Sequence, residues 1–285
     1  MGLSSEWKLE RGDLAPGDLP CASFDWDDFR IESITSTDHP LFEKIYAELW
    51  AEFGEKGEME SRDTLKARFE RDPSRIEAGH ALNYQMLAVL RRGEFVAARD
   101  FSTIVCHEKS PQVVVHLSHV LIHPIHRGQG LVGWLRALPI QRARQALELH
   151  KLARDFPVTL VAEMEPLDES SGENVTRLRS YEKAGFRAVD PAQIQYLQPD
   201  FRPFPVIDQK GGAKPLPLNL ILRRVGLEAE PEMSGSELKR LVRALYTMYG
   251  ASFREKDMAS VWEQFKNTYP SENVNLRLVN PTGVR

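Results

Sequence analysis

The sequence predicts an α/β fold, a mixed sheet with helices on both faces. Strand-like and helix-like segments interleave in the order β-α-α-β-β-β-α-β-α-β-β. An apolar β-forming run, "VVVHLSHVLI", passes straight through a glycine turn into a helical pattern. No repeat of fixed period occurs, and no stretch approaches 18 apolar residues, so neither a solenoid nor a membrane span is expected.

Residues 1–28 are rich in Gly, Pro and Asp and read as a loosely structured arm anchored by Trp7 and Trp26. "FRIESITS" alternates as a short strand. Asp38 is placed to cap a helix with Pro40 in its first turn. "LFEKIYAELWAEFG" carries the apolar stripe and ends at Gly54. "ESRDTLKARFERDP" is a second short helix closed by Pro73. "YQMLAVLRRGEFVAARDFSTIVC" reads as two strands around a tight turn at "RRGE", and "QVVVHLSHVLIH" is the next strand. The helix expected from Leu131 to Leu152 contains Pro139, which cannot donate to the carbonyl of Leu135, so a kink or break is expected there. "VTLVAEME" is a buried strand, and "ENVTRLRSYEKAGF" a helix stopped by Gly185. "IQYLQPDF" and "LPLNLILRRV" are strands, and the loop 203–215 between them, with "QKGGAKP", is expected to be mobile and exposed.

After Val225 the character changes. Ser234 with Glu237 forms a capping box ahead of an apolar stripe through Leu238, Leu241, Val242, Leu245, Met248 and Tyr249. A second helix, "DMASVWEQFKNTYP", and a last strand, "NVNLRLV", follow. The organisation is therefore an arm (1–28), a core domain (29–225) and a C-terminal helical extension (226–285) packed on the core. A homodimer contact and a lid are the alternatives for the extension.

Composition excludes several classes. Of the 285 residues 42% are hydrophobic and 27% charged, ordinary globular proportions. A net charge of −4 with scattered bases leaves no footprint for nucleic acid. Cys21 and Cys106 have neither metal nor disulfide spacing, which fits a reduced, cytoplasmic setting. The polar N-terminus is not a signal peptide, and Glu6 stands where a myristoylation signal needs Ser or Thr. No membrane partner is expected.

The chemistry concentrates in "HPIHRGQGLVGWL", His123 to Leu135. Glycines let a backbone approach a ligand closely, and a helix start presents unpaired N–H groups with the positive end of its dipole. Arg127, Gly128, Gln129 and Gly130 thus suit an anion site, with phosphate its usual guest, the alternative being a plain glycine turn with Arg127 in solvent. The loop is neither a Walker loop nor a dinucleotide fingerprint.

The pattern of a strand, P-x-x-R-x-x-G and a helix, followed by a strand and N-x6-Y-E-K-A-G-F, resembles the GNAT N-acetyltransferase superfamily over roughly residues 29–225. The resemblance implies a mostly antiparallel GNAT-type sheet flanked by helices. It implies that the loop Arg127, Gly128, Gln129, Gly130, Leu131 and Val132 wraps the pyrophosphate of acetyl-CoA. Val132 departs from the small residue expected there, and Gly133 follows one place late. Asn174 and Tyr181, two helical turns and about 10.5 Å apart on one face, would line the pantetheine arm. Tyr181 would protonate the departing thiolate.

The implied reaction is direct attack on acetyl-CoA by a primary amine of a small molecule or peptide. The acyl arm would pair with the backbone at Val120, Leu121 and Ile122, where an N–H can stabilise the oxyanion. An alkylamine with a pKa near ~10 is almost wholly protonated at neutral pH, so a base helps. The candidates, in order, are His116, His119 and Glu163. Some family members carry a histidine eleven residues before the loop arginine, as His116 is. Alternation sets His116 and Ser118 on one face and His119 on the other unless a bulge intervenes. His123 and His126 read as surface or CoA-proximal. Glu58, Glu60, Asp63, Glu163 and Glu165 could attract a cationic amine. No pair has zinc-ligand company, so no metal is expected. The rival readings are an acyl-CoA sensor without strong catalysis, a transferase using another acyl or aminoacyl donor, and a nucleotide-phosphate binder.

Overall fold

The computed structural model describes residues 6–108, 112–269 and 274–284. The chain forms two compact units, Met1–Val158 and Thr159–Arg285. This division falls inside the segment 29–225 that the sequence groups as one core domain. The fold is α/β, with mostly antiparallel strands flanked by helices.

In the first unit, β1 (Phe29–Ile34), β3 (His80–Arg91), β4 (Glu94–Cys106) and β5 (Gln112–Ile122) lie in that order, each antiparallel to its neighbour, with β2 (Ile76–Glu77) on β3. The β3–β4 turn places Arg92 at φ 51° and Gly93 at φ 90°. Both central residues are left-handed, as a two-residue hairpin matching strand twist requires. Even-numbered residues of β3, among them Tyr84, Met86 and Ala88, pack with Ala98 of β4 against α1 (Phe42–Leu49) and α2 (Arg62–Phe69). α3 (Leu131–Leu149) covers the opposite face.

Two expectations are corrected in this unit, the Asp38 cap and the break at Pro139. Asp38 caps nothing: α1 starts at Phe42, and His39 Nδ1 instead accepts from the Leu41 N–H at 3.2 Å. A π-helical turn, Trp50–Gly54, continues α1, and a Cβ at Gly54 would meet the Trp50 ring at 2.3 Å. α3 passes through Pro139 unbroken, with that residue buried. The sheet on one side and the arm along the other hold it across the missing bond.

The arm is also more ordered than its composition suggests. It forms two 3-10 segments, Arg11–Asp13 and Pro16–Ser23, that run along α3. Asp18 and Arg136 make a buried pair at 2.7 Å, Asp13 takes Arg144 at 2.9 Å, and the Lys8 N–H donates to Gln141 at 3.0 Å. Trp7 donates to Ser33 at 2.9 Å and carries the Arg142 guanidinium 4.1 Å from its ring centroid.

In the second unit the strand order is β6 (Val158–Met164), β9 (Leu216–Arg224), β7 (Arg187–Val189), β11 (Asn275–Val279) and β10 (Glu232–Ser234), with β8 (Tyr196–Gln198) on β9. The helices are α4 (Gly172–Lys183), α5 (Phe204–Gln209), α6 (Gly235–Gly250) and α7 (Glu255–Thr268). Ser234 caps α6 by accepting from the Glu237 N–H at 3.1 Å, as the box predicts. β11 pairs with β7, so the C-terminal segment supplies a strand as well as helices. The 203–215 segment is not simply an exposed loop. It contains α5, with Ile207 buried and Asp208 paired at 2.8 Å to both Arg254 and Lys256. No helix among the described residues is long and apolar enough to cross a membrane.

Candidate active site

β5 is a run of β-branched and apolar residues, and its register with β4 changes near the end. Arg99 opposes Val120 and Phe101 opposes Leu117, so Ser118 and His119 together face the single residue Asp100. This is a β-bulge on β5. It is the exception that the sequence leaves open, and it takes His119 off the face that plain alternation gives it. His116 lies in one cross-strand row with Ser102 and Tyr84, on the face covered by α1 and α2. His119 turns to that same face, where its ring meets Phe53 with centroids 4.9 Å apart.

His119 is held from several directions. Asp100 Oδ1 accepts from its backbone N–H at 2.7 Å and contacts ring Nδ1 at 3.1 Å. The Glu58 carbonyl takes Nε2 at 2.9 Å, and Tyr84 donates to Asp100 Oδ2 at 2.9 Å. Burial alone lowers the pKa of His119, but the charge and hydrogen bond of Asp100, the charge of Glu60 and the Glu58 carbonyl raise it to about 9. Burial raises Asp100, yet the charge and hydrogen bonds of His119 and the Tyr84 hydroxyl leave it below its ordinary value. A carbonyl and a carboxylate can only accept, so the imidazole holds a proton on each nitrogen. His116 has a different setting: it is buried, and Ser118 Oγ lies 3.2 Å from its Nδ1.

Past β5 the chain makes a 3-10 turn, Pro124–His126, then the glycine loop. Gly128 and Gly130 have φ of 73° and 100°, both left-handed. Gly130 is the N-cap of α3, so no side chain caps this helix, and no acidic residue lies in its first turn. The Arg127 Nε donates back to the Ile122 carbonyl at 3.0 Å, and Gln129 Nε2 to the Ile125 carbonyl at 2.8 Å. These bonds fasten the loop to the end of β5 and to the 3-10 turn that follows it, while both residues stay exposed. Leu131 is buried and Val132 half-buried, as are Val120, Leu121 and Ile122. Gly133 has a separate reason to be glycine: a Cβ there would lie 2.6 Å from Cys21 Sγ of the arm. His126 is buried rather than superficial, its ring edge-on to Phe29, and His123 pairs with Glu48 at 2.7 Å.

In the second unit, Asn174, Leu178 and Tyr181 form the buried face of α4, as their spacing predicts. The Asn174 carboxamide, however, ties the loop before α4, accepting from the Asp168 N–H at 3.0 Å and donating to the Pro166 carbonyl at 3.2 Å. Tyr181 is buried edge-on against Phe186. Glu163 accepts from the Tyr196 hydroxyl, from Gln198 at 2.8 Å and from Tyr249 at 2.6 Å. Tyr249 comes from α6, in the C-terminal extension that the sequence marks only for packing, a dimer contact or a lid. Two of the proposed amine-attracting carboxylates are already paired, Glu60 with buried Arg68 and Glu165 with Arg177. Asp100 and Tyr84 were also missed. The charged "RD" inside an apolar strand marks Asp100 as unusual, but nothing local points to its partners His119 and Tyr84. Among the described residues, no group of three His, Cys, Asp or Glu side chains could hold a metal.

No family model matches this sequence, and no curated protein does either. Similar solved structures are acetyltransferases. One is a protein from Bacteroides thetaiotaomicron assigned to the GNAT acetyltransferase family, 16% identical over 68% of this chain and 86% of its own, with a TM-score of 0.39. Another is Naa50 of Arabidopsis thaliana in complex with the bisubstrate analogue CoA-Ac-MVNAL, 9% identical over 68% and 97%, TM-score 0.38. A third is the ribosomal-protein-S18-alanine N-acetyltransferase of Escherichia coli, 17% identical over 69% and 94%, TM-score 0.32.

Proposed function

We propose that this chain is a GNAT-type acyltransferase, working in the cytoplasm, that moves an acetyl group from acetyl-CoA to a primary amine of a small molecule or peptide. One observation carries the reading: a bulged strand ends in a loop of two left-handed glycines, and that loop opens an uncapped helix. Bare N–H groups and the helix dipole suit a pyrophosphate, and the exposed Arg127 adds positive charge beside them. The backbone at Val120, Leu121 and Ile122 holds the acyl arm, where an N–H can meet the developing oxyanion.

The amine nitrogen attacks the thioester carbon, the C–S bond breaks, and two protons must move. His116 is the preferred acceptor of the amine proton, with Ser118 orienting its ring. His119 is a positioning residue, because both of its nitrogens already carry protons and neither offers a lone pair. Tyr181 returns a proton to the thiolate. Asn174 shapes the loop before α4 and reaches the donor only through its remaining hydrogen-bonding capacity. A dimer is not needed for any of these steps.

The test is thermal unfolding of the full chain with acetyl-CoA, with ATP and NAD as controls. A ligand at 100 times its Kd stabilises by about 2.7 kcal/mol. A shift with acetyl-CoA alone supports the reading and opens an amine screen. The absence of a shift at millimolar acetyl-CoA overturns it.

A further inference from the structure

Three histidines meet at one end of the first unit. His80 opens β3, His107 follows β4, and His150 is the C-cap of α3. His150 Nε2 lies 2.9 Å from the Pro73 carbonyl, and its Nδ1 lies 3.2 Å from His107 Nε2, with the ring centroids 4.7 Å apart. A carbonyl oxygen only accepts, so His150 carries a hydrogen on Nε2. Nδ1 of the neutral ring is then a lone pair, and His107 donates to it from Nε2. One carbonyl thus fixes the tautomers of both rings.

The histidines hold a hairpin that has little else to hold it. β2 pairs with β3 at two positions and buries neither of its residues, with Ile76 50% exposed. The turn between these strands, Ala78 and Gly79, is left-handed at both residues, with φ of 48° and 78°. Keeping an alanine there costs about 1–2 kcal/mol. The His80 ring donates from Nδ1 to the Ala78 carbonyl at 2.9 Å, the His107 backbone N–H to the Gly79 carbonyl at 2.8 Å, and His150 to Pro73 just before the hairpin. The rings of His107 and His150 join two of these three fastenings.

Proton counting shows when this joint fails. A first added proton leaves the bridge intact, because His107 can take it on Nδ1. A second must go to His150 Nδ1, which sets N–H against N–H and charge against charge. Burial and the like charges of His150 and His80 hold His107 below its ordinary 6.5, so the neutral bridge stabilises the fold above that value and is lost as pH falls. The charged groups of the surrounding segments have partners of their own. Asp72 accepts from Ser74 at 2.9 Å, Arg75 pairs with Glu77 at 2.9 Å, Glu77 also acts by its charge on Arg71, and Glu148 takes Arg154 at 2.7 Å. Glu108 and Lys151 follow His107 and His150 directly in the chain. We propose that His107 and His150 form an acid-sensitive clasp, which holds the β2–β3 hairpin to the end of α3 at neutral pH and releases it when both rings are protonated. The clasp is independent of the donor-binding loop and of the acyltransferase reading.

The test is amide hydrogen exchange of the full chain at pH 7.5 and pH 5, with intrinsic rates divided out, beside the ring nitrogen shifts of the histidines over the same range. The expected result is exchange about tenfold faster at pH 5 for the amides of residues 74–80 and of His107, in step with the second proton taken up by the two rings. His107→Gln supplies an N–H donor that does not titrate, so its hairpin should stay equally protected at both pH values. Equal exchange at both pH values in the unaltered protein overturns the proposal. So does an acid opening that persists in His107→Gln, which places the sensor on another group. The first of these readouts needs no variant to fold.

Discussion

Asp100 Oδ1 is joined twice to His119, to its backbone N–H at 2.7 Å and to its ring at 3.1 Å. The bulge makes this possible, because one extra residue on β5 brings both the amide and the imidazole of His119 over the same carboxylate. Nε2 then reaches the Glu58 carbonyl beyond α1. One cationic ring thereby links the end of β5 to the segment between α1 and α2, which lies over the face carrying His116.

This linkage has a pH signature. The His119 ring sits at about 9 in the folded chain against an ordinary 6.5. A raised pKa stabilises the fold fully below the unfolded value, and the contribution is lost as pH climbs from 6.5 through 9. Asp100 is depressed below its ordinary 3.8, so its contribution is present above that value and lost as pH falls through the folded one. Urea unfolding should show stability declining between pH 6.5 and 9. His119→Gln should lower stability at pH 6.5 and flatten that decline. A wild-type profile already flat over this range would contradict the doubly protonated ring.

Removing the carboxylate should be more severe. Asp100→Asn leaves a buried imidazolium without its counter-charge, a loss of about 3–5 kcal/mol. Tyr84→Phe removes only a hydroxyl donor to a charged acceptor, about 1.5–3 kcal/mol. The two should be non-additive, since the Tyr84 bond has no charged partner once Asp100 is neutral. A double-mutant cycle by chemical denaturation measures the coupling, and strict additivity would mean the Tyr84–Asp100 bond contributes nothing.

Gly133→Ala tests the arm. The new methyl would stand 2.6 Å from Cys21 Sγ, 3.0 Å from Cys21 Cβ and 3.2 Å from Asp18 Cγ. Overpacking of this kind costs about 1–3 kcal/mol. In a Cys21→Gly background the two closest atoms are gone, and the higher helix propensity of alanine, worth up to ~1 kcal/mol, should make the same substitution neutral or favourable. Denaturation of the four proteins in the cycle checks the change of sign. Equal losses in both backgrounds would show that Cys21 is not the obstacle.

What could be read in advance follows from range. β3, β4, β5, α3, α4 and α6 are long enough for their periods to show, and the Ser234 cap is a local signal. β7 and β10 have three residues each and α5 six, too few for any period to stand out. The arm shows no helical or strand period because it runs as short 3-10 segments, and what orders it is distant in sequence: Leu14 packs on Trp134 and Ala137, and Asp18 pairs with Arg136 118 residues away. The glycine loop was legible because positive φ selects glycine. The Asp100–His119 network was not, since a single inserted residue reverses the face of a side chain and no composition rule locates it. Gly133 illustrates the reverse: next to a glycine motif it reads as a displaced member, whereas it makes room for Cys21.

The proposed chemistry separates at two positions. Gly128 has open space where a Cβ would stand, so Gly128→Ala meets only the left-handed backbone, a cost of about 1–2 kcal/mol. Because the loop would hold the pyrophosphate, that variant should raise KM for acetyl-CoA and leave kcat nearly unchanged. Tyr181→Phe keeps the aromatic packing on Phe186 and loses only the hydroxyl. If that hydroxyl supplies the thiolate proton, kcat should fall by about 10²–10⁴ with KM for acetyl-CoA preserved. Steady-state rates with a responsive amine, with unfolding temperatures as the control for folding, read both. A Tyr181→Phe enzyme of full kcat would remove Tyr181 from the reaction and leave the thiolate to take its proton from water.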